Sequence, residues 1–95
     1  MNPVRVHSVM FYTYLLQSKK NGTWYTGSTN DLRKRLKQHN DGKSTFTKRD
    51  RPYKLIYYEA CMNEDDARSR ELQLKAGLSK RYLKNRLRDF LSQTG

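Results

Sequence analysis

Residues 9–17 read Val-Met-Phe-Tyr-Thr-Tyr-Leu-Leu-Gln, and this stretch decides how the rest of the chain is arranged. Apolar or aromatic side chains fall on both of its alternating faces, a pattern typical of a strand that is covered on both sides. We therefore predict a central strand. The pair Asn21-Gly22 is a strong turn signal, and an aromatic run resumes over residues 23–28, which predicts an antiparallel hairpin.

Outward from the hairpin, the pattern predicts a helix, a loop and a third strand. Asn30 or Asp31 can cap a first helix, which should end where Asp41-Gly42 interrupts the pattern. A basic loop follows over residues 43–52. The third strand is predicted over Leu55–Glu59, just after a proline and before a polar segment.

Two further helices are predicted in the last third of the chain. Asn63 should cap a helix that runs to about Ala76, with three acidic residues in its first turn. Gly77 is expected just beyond its C-terminus, and Ser79 is expected to cap one last amphipathic helix. The whole pattern predicts an α+β fold in which helices flank a small three-stranded antiparallel sheet, in the order β-β-α-β-α-α. We expect residues 1–8 to be a loose lead-in, 9–92 to form a single domain and 93–95 to be a tail.

Composition excludes several classes of protein. A chain of 95 residues suits one small domain. Its single cysteine, Cys61, excludes an intramolecular disulfide, and together with His7 and His39 it cannot supply the four ligands of a structural zinc site. We find neither a signal-peptide pattern nor the roughly 20 apolar residues that a membrane span requires. The sequence therefore predicts a cytoplasmic protein without membrane association.

The positive charge points to a polyanionic partner. Twenty Lys and Arg residues against nine Asp and Glu residues give a formal charge of +11. Residues 33–54 alone carry nine basic and two acidic residues, and residues 75–88 carry six basic residues without an acid. Such clustering favours a nucleic-acid partner over a merely soluble basic surface. In the predicted loop, Lys43, Lys48, Arg49 and Arg51 are candidates for gripping the phosphate backbone without reading bases.

Three polar residues break the apolar pattern of the helices. Arg35 and His39 lie one turn apart along the edge of the buried face of the first helix. Taken alone, they could be an arginine paired with an acid and a histidine in a polar niche. Glu71 points inward from the second helix, where an unpaired carboxylate would cost several kcal/mol. It must therefore meet a lysine, an arginine or a metal ion.

The hairpin holds a further irregularity. Its turn brings Tyr14 and Tyr25 onto neighbouring strands, and Gly27 stands where a strand would favour a side chain. Strand tyrosines are usually packing residues, but a glycine at such a position allows another group to approach the backbone closely.

Taken together, these residues resemble the GIY-YIG nuclease family. Its two motifs correspond to Tyr12-Thr13-Tyr14 and Tyr25-Thr26-Gly27, with eleven residues from tyrosine to tyrosine. Arg35 and His39 match the arginine and histidine of the family, and Glu71 matches its metal-binding glutamate. The resemblance extends over roughly residues 11–75, and the segment from Arg51-Pro52 to Glu59 is similar to the short, single-domain branch. Departures fall at scaffold positions, and Asn85 is a weak match to a late asparagine of the family.

The resemblance implies a metal-dependent endonuclease that hydrolyses DNA phosphodiester bonds. One Mg²⁺ or Mn²⁺ ion would be held by Glu71, and Arg35 would hold a nonbridging phosphate oxygen. Tyr14 would accept the proton of the attacking water. Because a free tyrosine has a pKa of about 10, it would need help, which His39 could give. Tyr25 would orient the water or phosphate, and the products would carry 5′-phosphate and 3′-hydroxyl ends.

The substrate and the pathway are less constrained. We expect weak sequence specificity, single-stranded or structured DNA as substrate, and a role in DNA repair or processing. A noncatalytic nucleic-acid-binding module that uses the same basic face is the alternative. An interaction subunit that docks on an acidic protein is a third reading.

Overall fold

The computed structural model describes residues 10–93, leaving aside the side chain of Leu78. The predicted lead-in, residues 1–8, and the last two residues of the predicted tail lie outside this range. Along the chain the elements are as follows: β1 (Phe11–Ser18), β2 (Trp24–Thr29), α1 (Leu32–Asn40), a 3-10 turn (Lys48–Asp50), β3 (Tyr53–Cys61), α2 (Glu64–Lys75), α3 (Gly77–Arg86) and α4 (Arg88–Gln93). The predicted α+β class and three-stranded antiparallel sheet are confirmed.

The strand predicted to be central is central. The sheet order is β2-β1-β3, and β1 pairs antiparallel with both neighbours. Tyr14 lies opposite Gly27 on one side and opposite Tyr58 on the other. The strand order leaves β2 at one edge of the sheet, beside the residues that matter below.

Consecutive residues of β1 enter two separate cores. Tyr14 and Leu16 form one buried cluster with Tyr53, against which Leu32 and Leu36 of α1 pack. On the other face, Leu15 packs with Leu74 of α2 and Leu83 of α3. The alternation of the strand thus divides the interior into an α1 face and an α2–α3 face.

Local capping explains where α1 begins and ends. The Asp31 carboxylate accepts from the backbone N–H of Lys34 at 3.1 Å. At the other end, the N–H of Gly42 donates to the carbonyl of His39 and that of Lys43 to the carbonyl of Gln38. Gly42 has a φ of +78°, the left-handed conformation that this type of helix end requires.

The end of the chain differs from the prediction in two respects. Gly77 begins α3 with Ala76 as the shared cap between α2 and α3, so it does not end α2 in a left-handed conformation, and Ser79 is not a cap. The predicted last helix is two helices, because the backbone at Leu87 leaves the helical region at φ −103° and ψ 14°. Within residues 10–93, no helix is both long and apolar enough to cross a bilayer.

Candidate active site

Tyr14 reaches across the edge strand because its neighbour is glycine. A Cβ atom added to Gly27 would overlap the Tyr14 hydroxyl. Any other residue at this position would therefore push the tyrosine ring away. The close approach predicted for this glycine is present, and the group that approaches is the Tyr14 side chain itself.

The Tyr14 hydroxyl meets two side chains of α1. Its oxygen lies 2.9 Å from Nε2 of His39, and it accepts from Nε of Arg35 at 3.4 Å. Arg35 Nη1 donates to Oε1 of Gln38 at 3.1 Å, which holds the guanidinium in place. Arg35 therefore pairs with a phenol and an amide, and the structure gives it no acidic partner among residues 10–93.

His39 is completely buried, and both of its ring nitrogens have partners. Nδ1 lies 2.6 Å from Oγ1 of Thr47, which is also fully buried. The rings of Tyr25 and Tyr53 flank the imidazole, with centroids 5.0 and 6.4 Å from its own. The polar niche considered for His39 therefore exists, and one of its walls is the Tyr14 hydroxyl.

Burial moves the pKa values of Tyr14 and His39 in opposite directions. It raises the pKa of Tyr14 to about 12, although the hydrogen bond and the charge of Arg35 act in the other direction. It lowers the pKa of His39 to about 4, and the charge of Arg35 lowers it further. At neutral pH both groups are uncharged. We therefore assign the Tyr14 proton to the bond with Nε2, and the His39 proton to Nδ1, which donates to Thr47.

Glu71 lies close to this cluster but belongs to α2. Its side chain is 19% exposed, and its Oε2 accepts from Nζ of Lys75 at 2.6 Å. Of the partners that the sequence left open, a lysine is the one present. The Glu71 charge also contributes to raising the pKa of Tyr14, so the carboxylate lies within electrostatic reach of the hydroxyl.

The donor set suits an oxygen-preferring cation with few protein ligands. Among the described residues, no group of three His, Cys, Asp or Glu side chains could enclose a metal ion. A single carboxylate, with water and phosphate oxygens completing the shell, is how Mg²⁺ often binds. The residues present therefore fit the predicted cofactor, with Glu71 as its protein ligand.

The four loop cations, Lys43, Lys48, Arg49 and Arg51, are all exposed. They lie on the loop that supplies Thr47 to His39, so the basic loop lies against the Tyr14 cluster. Arg49 is partly neutralised by Asp50, with 3.5 Å between Nε and Oδ1. Asn85 is exposed on α3 and lines a groove with Tyr82 and Arg86.

Sequence reasoning missed two groups that hold the site together. Gln38 fixes Arg35, and its position three residues further along the same helix was a signal that could have revealed it. Thr47 had no such signal, because its role depends on how the loop returns to α1.

The arrangement of two strand tyrosines, a helix arginine and histidine, and a carboxylate from a second helix can be compared with known proteins. The sequence profile of the GIY-YIG catalytic domain matches residues 10–86. This chain belongs to the GIY-YIG family. The match includes every residue predicted for the site, and the family membership predicted from the two motifs together with Arg35, His39 and Glu71 is confirmed.

Several GIY-YIG relatives carry only the name UPF0213. The chain is 43% identical over 67 residues to UPF0213 protein CPE1444 of Clostridium perfringens, covering 70% of this chain and 71% of that protein. It is 43% identical over 65 residues to UPF0213 protein YazA of Bacillus subtilis, covering 67% and 65%. The solution NMR structure of UPF0213 protein BH0048 from Bacillus halodurans is 32% identical, with a TM-score of 0.50 and coverage of 80% and 83%.

Proposed function

We propose that this GIY-YIG domain is a metal-dependent endonuclease that hydrolyses DNA phosphodiester bonds. One observation carries the proposal: the hydroxyl of Tyr14 is bonded to His39 and Arg35 at the edge of the sheet, within electrostatic reach of Glu71. A purely structural tyrosine does not need an arginine and a buried histidine on one oxygen, with a carboxylate near enough to raise its pKa. Such convergence of titratable groups is typical of catalytic sites.

The proton path follows from the hydrogen bonds. Tyr14 is protonated at neutral pH, so it cannot act as a preformed phenolate. It can instead accept the proton of the attacking water while passing its own to Nε2 of His39, which is unprotonated at neutral pH. Thr47 keeps Nε2 directed at Tyr14 by accepting from Nδ1.

The remaining residues position the phosphate and its charge. Arg35 uses one N–H for Tyr14 and one for Gln38, and its remaining N–H groups can donate to a nonbridging phosphate oxygen as negative charge develops there. The Tyr25 hydroxyl orients the water or the phosphate. When bound at Glu71, a divalent cation would stabilise the charge on the leaving 3′ oxygen.

A noncatalytic nucleic-acid-binding module is the second candidate, and the Glu71–Lys75 ion pair favours it. A neutralised carboxylate does not repel phosphate, so the surface could bind nucleic acid without a cation. The two candidates differ in whether Glu71 is needed for cleavage or is dispensable.

Purified protein should be incubated with Mg²⁺ or Mn²⁺ and labelled single-stranded, duplex, branched and RNA substrates. We expect cleavage of DNA that leaves 5′-phosphate ends and stops in excess chelator. Glu71→Gln should abolish cleavage and keep binding. The matched control is Glu64→Gln, because Glu64 pairs with Arg68 at the same 2.6 Å and the same spacing on α2. Unchanged cleavage by Glu71→Gln would contradict the proposal.

A further inference from the structure

The basic loop displays a large apolar side chain at its tip. Phe46 is 82% exposed, more than any other large hydrophobic residue in the described part of the chain. Single exposed apolar residues are common on protein surfaces. This one is unusual for its place in the chain, because it lies between Lys43 and Lys48 and directly precedes Thr47, which contacts His39.

The loop holds Phe46 outward by burying the residues on either side of the turn. Ser44 and Thr47 are buried, and the N–H groups of Thr47 and Lys48 donate to the Ser44 carbonyl at 3.3 and 3.0 Å. The two central residues of this turn are therefore directed to solvent. Thr47 also contacts Nδ1 of His39 at 2.6 Å, so the phenyl ring is one residue away from a group that touches the site.

The charges around the Phe46 ring indicate which class of ligand would bind against it. Residues 43–51 carry four cations and one acid, Asp50, a formal charge of +3. An apolar peptide would leave these cations unmatched, and an acidic peptide would leave the ring unmatched. A nucleotide matches both, because its phosphate meets the cations and its base offers a flat face to the ring.

We propose that Phe46 stacks on an unpaired nucleobase next to the phosphodiester held at Tyr14. The identity of the ligand rests on the proposed function, and the consequence is a substrate class. Inside a duplex, away from its two terminal base pairs, each base lies between its neighbours and has no free face. The site therefore binds nucleic acid where a base is out of the stack, as in single strands, flaps and loops.

The test measures binding in chelator, so that no cleavage is needed. Three labelled probes of equal length are used: a single strand, the same strand with every base removed, and a blunt duplex. Phe46→Leu keeps the apolar bulk and removes the aromatic face. We expect it to weaken binding of the single strand by about 5- to 150-fold, the range for the loss of one base stack. The abasic strand and the duplex should change by less than about twofold on the same scale.

Two further variants sharpen the result. Phe46→Trp should restore single-strand binding, because tryptophan retains a stacking face. Phe90→Leu makes the same chemical change on α4, where the ring lies 5.3 Å from the Lys54 ammonium, and should leave all three probes unaffected. Because Phe46 is exposed, thermal unfolding should be unchanged, which shows that the fold is intact.

Equal weakening on the abasic strand would overturn the inference, since Phe46 would then only support the loop. Unchanged single-strand binding would overturn it as well. So would a loss of self-association in sedimentation as the only effect of Phe46→Leu, because a second copy would then be the partner of the ring. Cleavage without any Phe46 effect would refute this inference alone, and base-dependent binding without cleavage would refute only the nuclease proposal.

Discussion

Burial has different effects on the two faces of the sheet, although alternate residues of one strand supply both faces. On the α1 face, the hydroxyl of Tyr14 and the imidazole of His39 are buried together and bonded to each other. On the α2–α3 face, the side chain of Leu15 is surrounded by aliphatic and aromatic groups. Burial changes proton affinities on the first face and supplies hydrophobic stability on the second.

Burying polar groups on the α1 face costs little free energy because these groups form hydrogen bonds with one another. Within residues 10–93, no buried side-chain nitrogen or oxygen lacks a hydrogen-bond partner. A buried polar group without a partner would cost about 1–3 kcal/mol. The comparison therefore shows how a domain of this size can bury reactive groups. Each buried group forms a hydrogen bond with a neighbouring buried group. The five predictions below test this division.

The largest expected effect separates chemistry from packing on the α1 face. Tyr14→Phe keeps the ring over Gly27 and removes the oxygen that His39 and Arg35 share. Turnover should fall by about 10²–10⁴, the usual range for lost acid–base catalysis. Single-turnover cleavage and thermal unfolding are measured together. Arg35→Ala should reduce turnover too, and it should also weaken phosphate binding, because a charge-assisted contact is lost. Near-normal cleavage by Tyr14→Phe would transfer the role to Tyr25 or His39.

The opposite result is expected one residue further along β1. Leu15→Ala leaves a cavity on the α2–α3 face and should lower the free energy of unfolding by about 2–5 kcal/mol. Turnover per folded molecule should stay the same at temperatures where both proteins are folded. Urea titration and active-site-normalised cleavage provide the two measurements. A large loss of turnover would mean that the faces are coupled.

The pH dependence of stability should distinguish the same two faces. The pKa of His39 is about 4 in the folded protein, against roughly 6.5 when unfolded. Between these values the unfolded chain binds a proton that the folded one does not. The contribution of neutral His39 to the free energy of unfolding is therefore fully present above about pH 6.5. It declines toward pH 4, by about 3 kcal/mol. In urea titrations across this range, His39→Gln should flatten the curve, whereas Leu15→Ala should shift it downward in parallel. A wild-type curve that is flat would contradict the buried neutral imidazole.

A methyl group can test whether the Tyr14 position depends on its neighbour. Gly27→Ala places a Cβ where the Tyr14 hydroxyl lies, so the ring must turn away. Misplacing a catalytic group by about 1 Å typically costs 10²-fold in rate, and we expect a loss of that size in turnover. Gly77→Ala is the matched control, because an added Cβ there meets nothing within 4 Å. Equal turnover in the two variants would show that Gly27 is not required.

The smallest effect concerns the basic loop beside the α1 face. Replacing Lys48 by Gln should reduce the slope of log affinity against log salt by about 0.9 on duplex and about 0.7 on single strands. The weakening should be even across sequences, because a backbone contact carries no sequence information. Arg68→Gln, which changes an exposed arginine of α2 outside both basic segments, should leave the slope unchanged. A change of sequence preference at constant slope would contradict the backbone role of the loop.

The elements that the sequence predicted best are those with local causes. The central strand followed from the alternation around Tyr14 and Leu15, and the caps Asp31 and Asn63 each bind a backbone N–H three residues on. The break at Leu87 could not be predicted, because Leu83, Leu87 and Leu91 keep a helical spacing through it. No glycine or proline marks the break. Just beyond the break, Phe90 of α4 is 37% exposed, and the Lys54 ammonium lies 5.3 Å from the centroid of its ring.

The residues of the candidate site also differ in whether local sequence or tertiary contacts place them. Arg35 and His39 were found because a helix fixes their spacing, and Gly27 because glycine is a poor strand residue. Thr47 and Phe46 were missed, because a loop places them and the path of a loop is set by tertiary contacts. The partner of Glu71 was one of three alternatives, which only the coordinates could separate.

The anchoring of the basic loop has a thermodynamic consequence. The loop is tied to the hairpin turn as well as to α1: Oγ of Ser18 donates to the Asp50 carbonyl at 2.5 Å, and Nδ2 of Asn21 donates to the Asp50 carboxylate at 3.0 Å. Fixing one backbone residue costs roughly 1–2 kcal/mol of conformational entropy. For this loop that cost is incurred when the protein folds. Association with a ligand can therefore proceed with little loss of backbone entropy, and an insertion in the hairpin turn would raise that loss without altering a single residue of the loop.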